Sequence, residues 1–132
     1  MKVSQTTRYA LQALIHLTRQ GGSQPVASHV IAEAEGSPEP FLRKVLERLA
    51  STRLLDSLKG PTGGYRLARP AGRITLLEVV EAVEGPIRGS LDFEGTDAQR
   101  LGGKLQAVCD RAAEEVRRQY RRVTVADLAG KG

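Results

Sequence analysis

The feature that most constrains the fold of this chain is a glycine- and proline-rich reversal at residues 57–70, SLKGPTGGYRLARP. The glycines and the proline at 60–64 separate two short strand patterns, Leu54–Leu58 and Tyr65–Leu67. Glycine supplies the positive φ angles of a tight turn, and proline stiffens the bend. The sequence therefore predicts a small, pointed β-hairpin in the middle of the chain.

Two helical patterns begin the chain. Apolar residues recur at helical spacing over 4–20, where Ser4 is a suitable N-cap and Gly21 follows the last periodic residue. A shorter pattern covers Val26–Glu35 and ends at Gly36. These signals predict two helices.

A third helix is predicted by the stretch SPEPFLRKVLERLA, which starts at residue 37. Ser37 is expected to be its N-cap and Pro38 its first helical residue. Leucines and valine line one face, while Arg43 and Lys44 lie on the other. A helix, a short glycine turn and a second helix are typical of a helix-turn-helix motif.

Further helices are predicted after the hairpin. Residues 74–84 read as a helix with Thr75 as its cap and a glutamate three residues later, which is a capping-box pattern. A loop is expected over 85–100 and a long helix over 101–122, and Thr124 caps a short final turn, VADLA. The chain is thus predicted to be mainly α with a small β-hairpin, in a winged helix-turn-helix arrangement with a long C-terminal helix.

Charge divides the chain into two parts. Residues 1–73 hold 11 Lys and Arg against 5 Asp and Glu, whereas residues 74–132 hold 9 against 10. The positive surplus of the first part favours a polyanionic partner, although a basic surface without a partner is the alternative. We therefore assign 1–73 to a DNA-binding region and 74–132 to the remaining helices of one compact domain.

The composition excludes several classes of protein. The chain has a single cysteine, so an intramolecular disulfide is excluded, and no stretch is long and apolar enough to span a bilayer. No signal-peptide pattern is present, and we expect a cytoplasmic protein without a membrane partner. His16 and His29 lack the spacing of metal ligands, and no catalytic constellation or phosphate-binding glycine motif is found. An enzyme is therefore not expected.

The helix-turn-helix and the hairpin together predict contacts with double-stranded DNA. Arg43 and Lys44 are expected on the exposed face of the recognition helix, where arginine is the commonest reader of guanine. Glycines at the hairpin tip let the backbone approach phosphates closely, and Lys59 adds charge there. Each feature has a simpler interpretation, since charged helix faces are usually only solvated and glycine hairpins usually only reverse the chain.

Three stretches in this order resemble the Rrf-type family of bacterial winged helix-turn-helix transcription regulators, the group that includes IscR, NsrR and CymR. They are SQTTRYALQALIHL, GPTGGYRLARP and ITLLEVVEAVEGP. The resemblance implies a homodimer that binds a palindromic operator. It also implies that the long helix crosses to the partner subunit. The DNA-binding residues that we predict are Thr7, Arg8, Ser37, Arg43, Lys44, Lys59, Gly60, Pro61, Thr62, Gly63 and Gly64. The predicted dimer interface consists of Leu101, Leu105, Val108, Ala112, Val116 and Tyr120.

The chain departs from many members of the family in one respect. Those members hold an iron–sulfur cluster with three cysteines in the loop before the long helix. The corresponding segment here, residues 85–106, contains neither Cys nor His, and Cys109 lies beyond it. We therefore expect no cluster, no other cofactor and no metal.

Three hypotheses remain for function. The leading one is a homodimeric repressor without a cluster that responds to a small-molecule or protein effector; repression is what the resemblance implies. The second makes Cys109 a redox sensor, for which packing on the helix stripe is the favoured alternative because reactive thiols need exposure and a lowered pKa. The third is a winged-helix module that binds a protein instead of DNA.

Overall fold

The computed structural model describes residues 3–89 and 96–130. It is mainly helical with one two-stranded antiparallel hairpin, which confirms the predicted fold class. The elements in chain order are α1 (Gln5–Arg19), α2 (Ser28–Glu35), α3 (Glu39–Ser51), β1 (Leu55–Leu58), β2 (Gly64–Leu67), a 3-10 turn (Ala71–Arg73), α4 (Leu76–Glu84), α5 (Thr96–Arg121) and α6 (Val125–Ala129).

Helix α1 is the centre of the fold. It begins where the sequence predicts, because the Ser4 hydroxyl accepts a hydrogen bond from the Thr7 amide at 3.1 Å. Leu14 and Leu17, with Ala10 and Ala13, are fully buried, whereas Leu11 and Ile15 are half-buried. The helix packs against α2, α3, α4 and α6, so most of the molecule is assembled around it.

The helix-turn-helix motif is present, but two of its predicted boundaries are wrong. Helix α2 starts at Ser28 rather than Val26, because the Val26 amide and carbonyl each bond to the backbone of Tyr65 at 2.8 Å and hold Val26 extended. Ser37 is not the N-cap of α3, and Pro38 takes that position. Had Ser37 been the cap, Pro40 would stand at the third helical position, where it has no amide hydrogen to donate.

The hairpin follows α3 closely. Strands β1 and β2 pair in antiparallel register, with Leu55 opposite Leu67 and Leu58 opposite Gly64. Each strand differs from its predicted range by one residue. The tip closes through a hydrogen bond of 3.0 Å from the Gly63 amide to the Gly60 carbonyl, and Gly60 has a φ of 103°. The glycines therefore form the tight turn that the sequence indicated.

One hydrophobic core holds residues from both sides of position 73. Val79 and Val83 of α4 and Val125 of α6 join the leucines of α1 and α3 in it. Both predicted caps after the hairpin are confirmed, since Thr75 and Thr124 each form a capping box. These two threonines also pair with each other as an isolated antiparallel bridge.

Helix α5 is the longest element and lies mostly outside the core. It starts at Thr96, five residues before its predicted start, and its backbone is non-helical at Gly102. The segment before it passes close by, because a Cβ added at Gly89 would lie 2.4 Å from the Cys109 carbonyl. Among the described residues, no helix combines the length and the apolar character that crossing a bilayer requires.

Candidate nucleic-acid interface

Helix α3 separates its two faces as predicted. Leu42, Val45, Leu46 and Leu49 are buried in the core, whereas Arg43 and Lys44 are exposed. A helix that is anchored in this way keeps its cationic face in a fixed position. Such a face can contact base edges and phosphates in a DNA major groove.

Arg43 makes an ion pair within its own helix. Its Nη2 lies 2.6 Å from Oε1 and 2.8 Å from Oε2 of Glu39, and its Nε lies 3.2 Å from Oε1. Hydrogen bonds from Arg43 and then from Ser28 hold the pKa of the Glu39 carboxyl below its ordinary value. The same pairing raises the pKa of Arg43. Glu39 is thus an ionised acceptor in the first turn of α3.

The Glu39 carboxylate is also held by the preceding helix. The Ser28 hydroxyl, at the first position of α2, donates to Glu39 Oε1 at 2.8 Å. The Glu39 side chain is 25% exposed and that of Arg43 is 56% exposed. The carboxylate therefore packs against the protein surface, while the guanidinium extends toward solvent.

An aromatic ring is exposed on the same helix. Phe41 has 43% of its surface exposed and meets Tyr9 of α1 edge-to-face, with ring centroids 5.3 Å apart. The Tyr9 hydroxyl in turn accepts a hydrogen bond from Gln5 at 2.9 Å. A ring at this position can make apolar contact with a thymine methyl group in the major groove.

The hairpin lies beside α3. Burial raises the pKa of the Tyr65 phenol on β2, and the charge of Glu47 on α3 raises it further, while Arg43 acts in the opposite direction. The backbone bridge between Tyr65 and Val26 fixes β2 against the start of the helix-turn-helix. Tyr65 packs against the core, as expected for a residue at the base of the wing. The wing and the recognition helix are therefore neighbours.

The wing tip is exposed at Lys59, Gly60, Pro61 and Thr62. Gly63 lies at the tip, where an added Cβ would be 2.2 Å from the Leu58 carbonyl oxygen. Glycine is therefore required at this position by a close contact within the hairpin itself.

Gly64, at the base of the wing, has a φ of 149°. An added Cβ there would be 2.4 Å from the backbone of Val26. Contact with the start of the helix-turn-helix therefore already requires glycine at this position.

The remaining predicted DNA contacts differ in accessibility. Arg8 is exposed on α1. Thr7 is only 1% exposed, and its hydroxyl donates to the Glu84 carboxylate at 3.3 Å, so no surface remains for a phosphate. The Ser37 hydroxyl is buried and has no hydrogen-bond partner. Arg8 is thus the best placed of these three residues.

The predicted dimer stripe on α5 divides between two environments. Val108 is 51% exposed, and Ala112 is exposed as well. Leu105 is half-buried, and the side chain of Leu101 lies outside the described residues.

The other end of the stripe lies against the rest of the subunit. Val116 and Tyr120 are half-buried and line a cavity of about 170 Å³ together with Val3 and Val80. The outward apolar surface of α5 is therefore concentrated at Leu105, Val108 and Ala112.

Cys109 is half-buried, with Gly89 against its backbone. This environment favours packing over redox sensing. Within residues 3–89 and 96–130, no three His, Cys, Asp or Glu side chains are grouped as a metal site would require. His16 instead contacts the Glu35 carboxylate at 3.2 Å.

Sequence reasoning missed three residues of this surface, namely Glu39, Phe41 and Arg66. The spacing of Glu39 and Arg43 was a usable signal, because an acidic and a basic residue four positions apart face each other on a helix. Arg66 lies opposite Asp56 across the hairpin at 3.5 Å, and only the strand register reveals that pair. Nothing in the sequence distinguished Phe41 from a core residue.

Comparisons with known proteins agree with this geometry. The Rrf2 family model, described as an iron-dependent transcriptional regulator, matches residues 3–131. The protein named as HTH-type transcriptional regulator Rv1287 of Mycobacterium tuberculosis is 32% identical over 98% of this chain and 82% of its own length. The regulator IscR of Cereibacter sphaeroides is 31% identical over 86% of this chain and 75% of its length.

A solved structure extends the agreement to the fold. The structure of CymR, the global cysteine regulator of B. subtilis, superposes with a TM-score of 0.78 at 26% identity. It covers all of this chain and 98% of that one. These relatives are regulators and not enzymes. Because the family model spans nearly the whole sequence, the chain belongs to the Rrf2 family of bacterial transcription regulators.

Proposed function

We propose that this protein is a homodimeric, DNA-binding repressor that binds a palindromic operator. The observation that carries the proposal is the exposed cationic pair Arg43 and Lys44 on a helix whose opposite face is locked into the core, beside a wing that presents Lys59. Membership of a family of transcription regulators supports the same conclusion.

In this proposal each element has a separate task. Helix α3 enters the major groove, where Arg43 and Lys44 reach base edges or phosphates. The wing tip contacts the adjacent DNA backbone through its exposed residues 59–62, whereas Gly63 and Gly64 serve the hairpin itself, and Arg8 contacts a phosphate. Ser37 contributes only if its buried hydroxyl turns outward, and Thr7 is left out of the interface because it is buried.

Dimerisation is assigned to α5. The exposed apolar side chains Val108 and Ala112, with Leu105 beside them, form a surface that a second copy of the helix would cover. In a dimer with two-fold symmetry the same patch serves both subunits. A palindromic site then places one α3 in each half-site.

The donor set of this chain does not fit an iron–sulfur cluster of the thiolate type. Such clusters are held mainly by several cysteines, and the sequence has only Cys109. We therefore propose that the signal reaches this regulator without a cluster, through a small molecule or a protein partner.

The test is fluorescence anisotropy on duplex DNA from upstream of the gene, with a scrambled duplex as the control. Arg43→Ala and Lys44→Ala should each weaken binding by about 1–3 kcal/mol if they contact bases, and affinity should fall steeply with salt. Arg122→Ala, which removes an exposed charge beyond α5, is the matched control and should change little.

Two outcomes would contradict the proposal. Equal and weak binding to both duplexes, with no effect of the α3 variants, would favour a protein-binding module. Repression itself is tested with a reporter fused to the upstream region. Its expression should rise when the gene is deleted, and a fall would indicate an activator.

A further inference from the structure

The ion pair between Glu39 and Arg43 has a geometry that bears on how α3 would recognise DNA. An arginine guanidinium carries five N–H donors in a fixed planar fork. Glu39 engages Nε through Oε1, and it engages Nη2 through both of its carboxylate oxygens. The two hydrogens of Nη1 have no hydrogen-bond partner among the described residues and are available to an acceptor.

The carboxylate that holds this guanidinium is itself fixed. Ser28 donates to the same Oε1 atom that accepts from Arg43 at 2.6 Å. Ser28 belongs to α2, so the chain of contacts joins both helices of the helix-turn-helix. A long arginine side chain normally loses much rotamer freedom when it binds, and fixing it beforehand reduces that cost.

We infer that Glu39 is a positioning residue for DNA recognition, which holds the Arg43 guanidinium so that its free Nη1 group can donate to O6 and N7 of a guanine. This inference rests on the proposed DNA-binding function. Bidentate pairing of arginine with guanine requires the two planes to be aligned, and a clamp on one edge of the fork supplies that alignment.

The inference separates Glu39 from an ordinary surface carboxylate. A carboxylate on a DNA-facing helix repels phosphates, so its removal should strengthen binding to every sequence equally. A positioning residue behaves differently, because its loss should weaken binding to the preferred sequence relative to all others. The ratio of the two affinities therefore distinguishes these roles.

The experiment selects preferred sites from a pool of random duplexes with the full-length protein, followed by sequencing. Glu39→Gln removes the charge and keeps the size of the side chain. We expect it to reduce discrimination for guanine at one position of each half-site by about fivefold or more, the low end of what such a pair provides. Arg43→Ala should lose discrimination at the same position.

Matched variants make the result specific. Glu47→Gln removes the same charge from the same helix, four residues beyond Arg43; the charge of Glu47 also acts on Arg43, but no salt bridge of Glu47 occurs in the described part of the chain. It should leave the preference intact. In the Arg43→Ala background, Glu39→Gln should have no further effect on selectivity. Thermal melting and binding to non-specific duplex verify that each variant is folded.

The outcomes are distinguishable from those of the proposed function. If the wild type selects no sequence, DNA recognition fails and this inference fails with it. If the wild type selects a site but Glu39→Gln keeps full guanine discrimination, only the inference is overturned. Equal losses for Glu39→Gln and Glu47→Gln would also overturn it, because helix charge and not the clamp would then be responsible.

Discussion

Two regions of this molecule, the helices packed around α1 and the long helix α5, are stabilised in different ways. The helices around α1 bury a continuous core in which Leu14, Leu46 and Leu49 are fully enclosed. Helix α5, although twice the length of α3, has Ala113 as its one buried apolar residue among the side chains that the structure describes. The comparison indicates that the winged helix-turn-helix is stabilised by its own packing, whereas α5 leaves most of its apolar stripe outside the core.

The largest effect on stability should come from creating a cavity in the core around α1. Leu46→Ala, at the buried centre of α3, should lower the free energy of unfolding by about 2–5 kcal/mol. Chemical denaturation followed by circular dichroism measures this change. Val108→Ala on α5 is the comparison variant and should have a far smaller effect on the fold. Similar losses for both would remove the distinction between the two regions.

A charge on the outward face of α5 should act on assembly instead of folding. Val108→Asp should weaken dimerisation by about 2–4 kcal/mol, because the interface would bury an unpaired carboxylate. Analytical ultracentrifugation over a concentration series gives the dissociation constant. Arg121→Asp, on the far side of the helix, serves as the control. An unchanged dimer in Val108→Asp would place the interface elsewhere.

The smallest effect is expected at Glu78 of α4, the helix that contacts both α1 and α5. Partial burial opposes ionisation of Glu78, but bonds from the Thr75 backbone and from Arg69 at 2.5 Å outweigh it and lower the pKa of the carboxyl. A lowered pKa in the folded state stabilises the protein above the ordinary carboxyl range. That contribution is lost as the pH falls through the folded pKa.

Unfolding measured over the acid range tests this sign. Glu78→Gln should reduce the dependence of stability on pH between neutral and acidic conditions. Glu33→Gln on α2 is the control, since that carboxylate is exposed. A wild-type pH profile identical to that of Glu78→Gln would show that this carboxylate contributes nothing.

Local signals predicted much of the fold. The caps at Ser4, Thr75 and Thr124 were predicted correctly, because each cap side chain bonds to a backbone amide only three residues further along the chain. The cap at Ser37 was wrong because a proline removed the amide at the third helical position. The start of α2 was wrong because Val26 is held by Tyr65, which is distant in the sequence.

The candidate site was predicted less completely. Arg43 and Lys44 were placed on the correct face, since helical periodicity fixes exposure. The burial of Thr7 under Glu84 could not be predicted, because the two residues are 77 positions apart. The contact between Ser28 and Glu39 likewise depends on how two helices cross.

The bridge between Thr75 and Thr124 joins the start of α4 to the end of α5. The Leu76 amide bonds to the Val123 carbonyl at 2.7 Å, and the Val125 amide bonds to the Ile74 carbonyl at 2.8 Å. Residues 76 and 123 are therefore the two ends of a loop that is closed by backbone hydrogen bonds. The entropy of closing a loop grows slowly with its length. An insertion or deletion beyond α4 should therefore change the free energy of closing this loop only slightly, and α6 should keep its contacts with α1.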